Sequence, residues 1–381
     1  MKNTFGNNIT VTLFGESHGE AIGCVLDGLP SGFAIDMERL KQDMDRRRAV
    51  GSISTPRNEA DVPEFLSGVR DGVTEGTPVA ILIRNQNVRR KDYDEIRYLA
   101  RPGHADYAAE MRYKGFQDAS GGGHFSGRLT APLTAAGSIL RQMLETRGIL
   151  IGSHIRKLYT VEDDRFLEKG LADTIRALNE KAFAVISEEA GRQMMREIEH
   201  ARREQNSLGG ILETAVIGME AGIGEPFFDT VESRLSAAMF AIPAVKGIEF
   251  GAGFGFAEMT GSRANDRFTM FHGKVATITN HNGGINGGIT NGMPILFRTV
   301  IKPTPSISQP QFTVDFRKKE NTTIEIHGRH DPAVIHRARI VVDSMTAVVL
   351  ADLMATAYGT QWVKLPEKAA GKRRTANETE Q

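Results

Sequence analysis

The sequence feature that most constrains the fold is a short pattern that occurs twice. Residues 72–82 read GVTEGTPVAIL and residues 288–298 read GITNGMPILFR, with Gly, Val or Ile, Thr, Gly, Pro and Val or Ile at matching positions. In each copy a glycine-containing turn leads into an apolar strand, as in a β-hairpin. Convergent turn chemistry and duplication both explain the match. We adopt duplication, which predicts two related β-rich halves whose hairpins occupy equivalent places in two sheets.

The other periodicities predict strands that alternate with amphipathic or buried helices. Strands are predicted at residues 9–14, 21–26, 64–84 (as strand, turn, strand), 208–218 and 247–256. Helices are predicted after an N-cap at Asp36, at residues 130–147 and 229–241, and from Pro332 to about residue 357. The last helix is apolar on most faces, which predicts burial. We expect one domain over residues 1–366, with a peripheral helical excursion at 160–206 and a disordered tail at 367–381.

Composition limits the class of protein. Among 381 residues there are 47 Lys plus Arg and 47 Asp plus Glu, so the formal net charge is zero. This argues against a nucleic-acid-binding protein, which carries a basic excess. The single cysteine, Cys24, allows neither an intrachain disulfide nor a cysteine-based zinc site and favours a reducing compartment. Without a signal-peptide core or a charge-free apolar run of spanning length, we expect a soluble cytoplasmic protein that does not enter a membrane.

Histidines are concentrated beside glycines. Eight of the ten have a glycine within two positions, including those in GESHG at residues 15–19 and RPGHAD at 101–106. A polar turn that satisfies its own backbone explains either segment taken alone. Two histidines on separate turns favour instead a site with two proton-transfer groups, because His titrates near pH 7. Asp106 is a candidate for orienting the His104 ring.

Basic residues recur next to the predicted turns. The segment GGGHFSGR at residues 121–128 leads into the helix at 130–147, where glycines and the helix N-terminus favour an anion. Taken alone, residues 46–48 and 89–91 are solvated cations. Three further cations, Arg101, Arg128 and Arg329, also stand beside predicted turns. Together these cations predict a pocket for a multiply anionic substrate.

The segment GRHDP at residues 328–332 places Asp331 directly before the last predicted helix. Two interpretations are compatible here: Asp331 is the N-cap of that helix, or it is a base that faces a cofactor. The histidines show no metal-ligand spacing with carboxylates, so no metal is predicted. From the residues alone, the chain is an enzyme with anion-binding turns, two or more titratable histidines and a phosphate-bearing ligand.

Taken together, the motifs resemble those of the chorismate synthases. Three blocks carry the resemblance, namely GESHGEAIGCVLDGLP at 15–30, GHFSGRLTAPLTAAGSI at 123–139 and GRHDPAVIHRARIVVDSM at 328–345. It is extended by DRRR (45–48), RPGHAD (101–106), AVKGIEFG (244–251), HNGGINGGI (281–289) and IKPTPSI (301–307). The resemblance spans residues 5–357 apart from 160–206, and so many motifs in order are specific.

The resemblance implies a reaction, a cofactor and a fold. The family's reaction is the 1,4-anti elimination of phosphate from 5-enolpyruvylshikimate 3-phosphate to give chorismate, with reduced FMN and no net redox change. The implied fold is α/β, a β-α-β sandwich in which two antiparallel-rich sheets with pseudo-repeated halves enclose central helices. A homotetramer is implied, and NADPH is implied only indirectly, to reduce the flavin through an external flavin reductase.

The resemblance also implies roles for individual residues. His18 would protonate the departing phosphate, His104 would stabilise the reduced flavin by protonation near N1, and Asp331 would act with flavin N5 to remove the ring proton. Substrate contacts would come from Ser17, Arg47, Arg48, Ser126, Arg128 and Arg329. Flavin contacts would come from His124, Phe125, Ser126, Pro243, Ala244, Gly287, Lys302, Pro303, Thr304, Pro305, Ser306 and Arg329.

The chain departs from the family pattern at a few positions. His124 and Phe125 stand where many relatives have Arg and Ser, Asp343 replaces a usual Glu, and Ile53 aligns near a common arginine. The last change argues against an intrinsic flavin reductase activity. Two other classes stay open, a flavin-dependent NADPH oxidoreductase acting on a phosphorylated substrate and a non-catalytic FMN-binding protein. The missing dinucleotide fingerprint argues against the first, and the intact histidine pair with its carboxylate argues against the second.

Overall fold

The computed structural model describes residues 2–48, 54, 60–86, 97–326 and 331–365. The predicted tail at 367–381, the cations at 89–91, Ile53 and Arg329 lie outside the described residues. The first half of the chain contains β1 (Thr4–Phe5), β2 (Thr10–Gly15), β3 (Ala21–Asp27), α1 (Met37–Arg47), β4 (Glu64–Ser67), β5 (Val69–Arg70), β6 (Val73–Thr74), β7 (Val79–Arg84), α2 (Asp106–Tyr113) and α3 (Thr130–Glu145).

The second half is longer and begins with the strand that follows α3. It contains β8 (Leu150–Leu158), β9 (Val161–Glu162), α4 (Leu171–Glu180), α5 (Glu188–Arg203), β10 (Gly210–Ile217), α6 (Val231–Phe240), β11 (Val245–Phe250), α7 (Gly261–Ala264), β12 (Phe268–Phe271), β13 (Lys274–Thr277), β14 (Ile285–Asn286), β15 (Ile289–Thr290), β16 (Ile295–Ile301), β17 (Gln311–Asp315), β18 (Glu320–Ile324) and α8 (Ile335–Tyr358). The strands and helices predicted at the corresponding positions are therefore confirmed.

The two five-stranded sheets share the topology of four strands, β2-β3-β7-β4 and β8-β10-β16-β11, and differ at one edge, where β1 precedes β2 in the chain but β9 follows β8. The first has the strand order β1-β2-β3-β7-β4, and the second, read from its other edge, has the order β9-β8-β10-β16-β11. Neighbouring strands are antiparallel in both sheets. Strands β7 and β16, which carry the repeated pattern, occupy the same position. The prediction that the two hairpins lie at equivalent places in two sheets is confirmed.

The equivalence extends to individual hydrogen bonds in the small hairpins β5–β6 and β14–β15. Thr74 Oγ1 donates to the Pro30 carbonyl at 2.7 Å and accepts the Phe33 N–H at 3.0 Å. In the second half, Thr290 Oγ1 likewise donates to a carbonyl at 2.6 Å and accepts a backbone N–H at 2.9 Å. The threonine common to both copies of the pattern therefore has the same buried function in each half.

Helices α3 and α8 form the middle layer between the sheets. Helix α3 packs on β3 and β7, α8 packs on β8 and β10, and the two helices pack on each other. A Cβ atom on Gly137 of α3 would lie only 2.2 Å from Ser344 Cβ of α8, so the helices approach closely where glycine has no side chain. The predicted β-α-β sandwich is thereby confirmed.

Helix α8 is the buried helix that the sequence predicts. The segment Ile335–Trp362 is long and apolar enough to cross a membrane by length and composition, yet 89% of its most apolar window is buried inside the protein. Its side chains belong to the main hydrophobic cluster together with those of both sheets. The apolar composition of this segment therefore reflects its burial in the core of the sandwich.

Two local predictions differ from the structure. The strand predicted at 247–256 ends at Phe250, because Gly251 turns left-handed at φ +54° and a 3-10 helix follows at Gly253–Glu258. Helix α8 begins at Ile335 with Val334 as its N-cap residue. Asp331 is therefore not the helix N-cap, and that interpretation was wrong.

Helices α4 and α5 attach to the second sheet through a buried charge cluster. His154 Nδ1 lies 2.9 Å from Asp163 Oδ2, and its Nε2 lies 3.1 Å from Glu213 Oε2. Burial disfavours the imidazolium, but the hydrogen bonds and charges of both carboxylates outweigh burial and raise the pKa of His154. Asp163 also accepts the backbone N–H of Ile186 and Ser187, which ties the segment before α5 to the sheet.

The free energy of unfolding should therefore fall as the pH rises and His154 loses its proton. A raised folded-state pKa gives stabilisation that is complete below the ordinary pKa of 6.5 and is lost as pH rises through the folded-state value. We expect His154→Gln to lower the free energy of unfolding at pH 6 by about 3 kcal/mol and to remove this alkaline decline. Urea unfolding between pH 5 and 9 measures both effects. The exposed His200→Gln is the control, and parallel profiles for wild type and His154→Gln would contradict the assignment.

Candidate active site

One large cavity lies where the two halves meet. Its volume is about 860 Å³, and its wall is formed by loops that precede α3 and α8, by the turn between β2 and β3, and by the end of α6. The predicted site residues that line it are Ser17, His18, Arg47, Arg48, His104, His124, Phe125, Ser126, Arg128, Pro243, Ala244, Lys302, Thr304, Pro305 and Ser306. Residues scattered over most of the sequence are thus brought to one place.

Three predicted residues do not line this cavity, and a fourth lies outside the described residues. Among the described residues, Gly287 lies in the β14–β15 turn, Pro303 faces solvent, and Asp331 is buried behind the wall. Asp331 Oδ2 accepts a hydrogen bond from Arg337 Nη1 at 2.6 Å, and Arg337 itself lines the cavity. Asp331 is therefore coupled to the wall through a residue that the sequence analysis did not select.

His18 is held tightly at the cavity wall. It is 3% exposed, and its Nδ1 lies 2.9 Å from the hydroxyl of Ser17. The Ser17 N–H donates to the Gly123 carbonyl at 3.1 Å, which connects the β2–β3 turn to the glycine segment before α3. A Cβ atom on Gly121 would lie 2.4 Å from His18 Cε1, so a side chain there would displace the ring. Glycine at this position lets the imidazole pack against backbone.

His104 is oriented by a serine of the other half. Its Nε2 lies 2.6 Å from the hydroxyl of Ser306. The prediction that Asp106 orients this ring is wrong, because Asp106 binds the Arg101 guanidinium at 2.6 and 2.7 Å and accepts the Arg101 N–H. The nearby cation competes successfully for the carboxylate, since a bidentate Arg–Asp pair is stronger than a single His contact. The two-residue spacing between His104 and Asp106 therefore did not predict the partner of the His104 ring.

Two predicted substrate-binding arginines share one buried carboxylate. Arg47 Nη1 lies 2.8 Å from Asp61 Oδ2, and Arg128 Nη1 donates to Asp61 Oδ1. Arg47 also donates to Thr130 Oγ1 at 2.9 Å and to the Gly127 carbonyl at 2.9 Å. Both guanidinium groups are therefore fixed on the wall by several bonds.

Asn85, at the end of β7, connects this arginine pair to the histidine turn. Its side-chain oxygen accepts Arg128 Nε–H at 3.0 Å, while its amide nitrogen donates to the carbonyls of Glu16 and Gly19. His124 supports the same turn, because its Nδ1 lies 3.0 Å from the Gly15 carbonyl oxygen. His124 thus makes a backbone contact here. Phe125 is 44% exposed and packs edge-on to a tyrosine ring.

The far wall of the cavity has features suited to an anionic group. Ala244 has a left-handed backbone, at φ +74°, and its carbonyl accepts the Lys302 N–H at 2.9 Å. Thr304 Oγ1 is buried and has no hydrogen-bond partner among the described residues. Burial, together with the positive charge of Lys246, lowers the pKa of Lys302. An anion at this wall would satisfy the hydroxyl and offset the repulsion between the lysines.

The cavity is strongly cationic. Among the described residues, eight basic ones line its wall, namely Arg47, Arg48, Arg97, Arg101, Arg128, Lys246, Lys302 and Arg337. Three carboxylates of the same described part line it, namely Asp61, Asp106 and Asp118. The zero net charge of the whole chain is therefore distributed unevenly, and the cavity carries a positive excess that attracts anionic ligands.

Comparison with known proteins assigns the family. The sequence profile of chorismate synthase matches residues 9–355. The chain belongs to the chorismate synthase family. It is 45% identical to the chorismate synthase of Pyrococcus abyssi, over 91% of this chain and 96% of that protein. It is 43% identical to that of Chloroflexus aurantiacus, over 92% of this chain and 94% of the relative.

The fold is similar to that of a solved chorismate synthase. The TM-score is 0.73 at 26% sequence identity, and the match covers 93% of this chain and 94% of the other. Like its family, this protein is a lyase that catalyses phosphate elimination. The cationic cavity is consistent with a phosphorylated substrate.

Sequence reasoning missed Asp61, Asn85 and Arg337 as members of the site. Asp61 precedes β4 and Asn85 follows β7, and neither stands in a glycine-containing turn. The neighbouring glycines that drew attention to His18 are therefore absent at both positions. Arg337 lies six residues after Asp331. A separation of six residues between a loop and a helix does not predict that the two side chains meet. In each case the contact depends on the sandwich packing.

We expect Gly121→Ala to reduce turnover about 100-fold, because the new methyl group must displace the His18 ring. Gly261→Ala is the control, since a Cβ atom there meets nothing within 4 Å and the residue does not line the cavity. Steady-state chorismate formation by the two variants measures the difference. Equal activity would show that the position of His18 does not limit the reaction.

Proposed function

We propose that the protein converts 5-enolpyruvylshikimate 3-phosphate into chorismate and phosphate by 1,4-anti elimination, with reduced FMN and no net redox change. The observation that carries this proposal is the presence of His18, His104 and the Arg47–Arg128 pair on the wall of one cavity. The substrate carries a phosphate and two carboxylates, which match the positive excess of that wall. Membership in the family supports the same reaction.

His18 is the proposed acid for the departing phosphate. It lies in the cavity wall, and the Ser17 hydroxyl, 2.9 Å from its Nδ1, orients the imidazole for proton transfer to the leaving group. Arg47, Arg48, Ser126 and Arg128 are proposed to hold the anionic groups of the substrate, with Arg329 as a further contact. A rigid cationic wall stabilises negative charge as it develops on the leaving phosphate.

The second wall is proposed to hold FMN. Thr304 supports this fit, because its buried hydroxyl is without a partner among the described residues. Lys302 and Thr304 would hold the phosphate, and the proposed contacts along the ring system are His124, Phe125, Ser126, Pro243, Ala244, Gly287, Pro303, Pro305, Ser306 and Arg329. When bound in its reduced form, FMN supplies electron density transiently. His104, fixed by Ser306, would hold a proton beside the flavin.

Asp331, which lies behind the cavity wall, is proposed to assist as a base in the removal of the ring proton. Its burial and its 2.6 Å bond to Arg337 orient the carboxylate behind the cavity wall. We expect Asp331→Asn to retain FMN affinity and to lose turnover by at least about 100-fold, because the amide cannot accept the proton. Flavin fluorescence titration and single-turnover assays measure the two properties. Asp315→Asn, outside the cavity, is the control, and retained turnover in Asp331→Asn would remove the base role.

Assembly and supply of reduced flavin are proposed to follow the family. The hairpin β12–β13 exposes Phe268, Met270, Phe271 and Val275, which supports self-association into a homotetramer. The absence of a dinucleotide fingerprint from the sequence supports an external flavin reductase that uses NADPH, in the cytoplasm.

The deciding experiment is anaerobic. Purified protein is mixed with 5-enolpyruvylshikimate 3-phosphate and chemically reduced FMN, while chorismate absorbance and phosphate release are followed together. We expect both products in equal amounts, only with reduced flavin and without its stoichiometric consumption. Stoichiometric flavin oxidation with a reduced product would instead indicate an oxidoreductase.

We also expect Thr304→Val to weaken FMN binding about tenfold, since a buried hydroxyl that binds phosphate would be lost. Thr299→Val is a matched control, because Thr299 Oγ1 is likewise buried without a partner among the described residues but lies on β16 away from the cavity. Fluorescence titration of both variants gives the dissociation constants. Equal constants would exclude Thr304 from the flavin site.

A further inference from the structure

Asp61 is a buried carboxylate inside an anion-binding wall. It is 6% exposed, its backbone is left-handed at φ +48°, and its two oxygens face the guanidinium groups of Arg47 and Arg128. A carboxylate in this position opposes the attraction of the wall for an anionic ligand. Its presence therefore requires a reason other than ligand binding.

The reason lies in the charges that it holds together. Arg47 and Arg128 are both largely buried, and without a counter-ion two buried like charges repel and lose their solvation. We propose that Asp61 is the internal counter-ion of this arginine pair. It is a positioning residue that keeps both guanidinium groups in place while the cavity is empty and that sets how tightly the wall binds phosphate. This role rests on the proposed function, in which the same arginines bind the substrate.

The proposal predicts that an anionic ligand can substitute for the missing charge. In Asp61→Asn the shape and one acceptor oxygen are kept, but the negative charge is lost. Inorganic phosphate that enters the cavity should then neutralise the arginine pair and bind about tenfold more tightly than in the wild type at low ionic strength. Added salt should shrink this difference, because the attraction is electrostatic.

The chain offers a matched control in Asp43. This carboxylate is also buried and also binds two arginines, Arg46 at 2.6 Å and Arg141 at 3.0 Å, but it does not line the cavity. Asp43→Asn removes a charge of the same kind from a place that phosphate cannot reach. Both variants should lose thermal stability, and phosphate should restore only Asp61→Asn.

The experiment is a thermal-unfolding titration of the full chain with inorganic phosphate, for wild type, Asp61→Asn and Asp43→Asn, with sodium chloride at matched ionic strength. We expect a larger phosphate-dependent rise in melting temperature for Asp61→Asn than for the other two proteins. The same rise in all three, or a smaller rise in Asp61→Asn, would overturn the counter-ion role and leave Asp61 as a purely structural brace.

The outcome is separable from that of the proposed function, because the assay needs neither turnover nor flavin. If phosphate fails to stabilise the wild type and both variants, the anion site itself is wrong, and the counter-ion proposal falls with it. If phosphate stabilises the wild type and Asp61→Asn equally, only the role of Asp61 is wrong. Asp61→Glu restores the charge and should return phosphate binding toward the wild-type value.

Discussion

The close approach of α3 and α8 at Gly137 and Ser344 is the constraint on which the rest of the structure depends. The contact lies about two turns from the start of each helix, and first-turn residues of both helices line one cavity, so both N-termini lie at the same end of the sandwich. The first turns of both helices line the cavity, through Thr130 and Leu133 of α3 and Ala338 of α8. Helix N-termini carry partial positive charge, which adds to the cations of the wall. Packing of the core and attraction of anions thus have one structural origin.

Buried charge is the second theme of the molecule, and its place decides its effect. In the His154 cluster two carboxylates bind the imidazole away from the cavity. This cluster therefore attaches the segment that contains α4 and α5 to the second sheet. Asp43 neutralises arginines within the first half in the same way. The Asp61 pair differs because its guanidinium groups also face the cavity, where a ligand can compete for them. The same chemistry therefore stabilises the fold in one place and tunes binding in another.

Sequence reasoning was most successful where one local pattern controls the structure. The periodicity of α3 and α8 and the repeated turn before β7 and β16 depend on neighbours in the chain, and these predictions are confirmed. Partners of charged side chains could not be predicted in the same way. The spacing allowed Asp106 to bind His104, but Asp106 binds Arg101 in the structure. The hydrogen-bond partner of His104 is Ser306, which comes from the other half. Such choices depend on tertiary distances and on competition between charges, which no local pattern contains.

The duplicated topology also explains why the site lies where it does. In each half the last strand of the repeat is followed by a long connection to a central helix, from β7 to α3 and from β16 to α8. The first connection carries His104, His124 and Arg128, and the second carries Lys302, Thr304 and Asp331. Because the two helices start at the same end of the sandwich, their connections face each other across the cavity.

The halves differ in the connection between their first two long strands. Between β2 and β3 it is the short turn that holds His18, whereas between β8 and β10 it is the segment that contains α4 and α5. The helical segment packs on the second sheet, with α4 against β8, and no short histidine-bearing turn joins β8 to β10 in this described part of the chain. The asymmetry between the halves is therefore one reason why the two walls of the cavity differ.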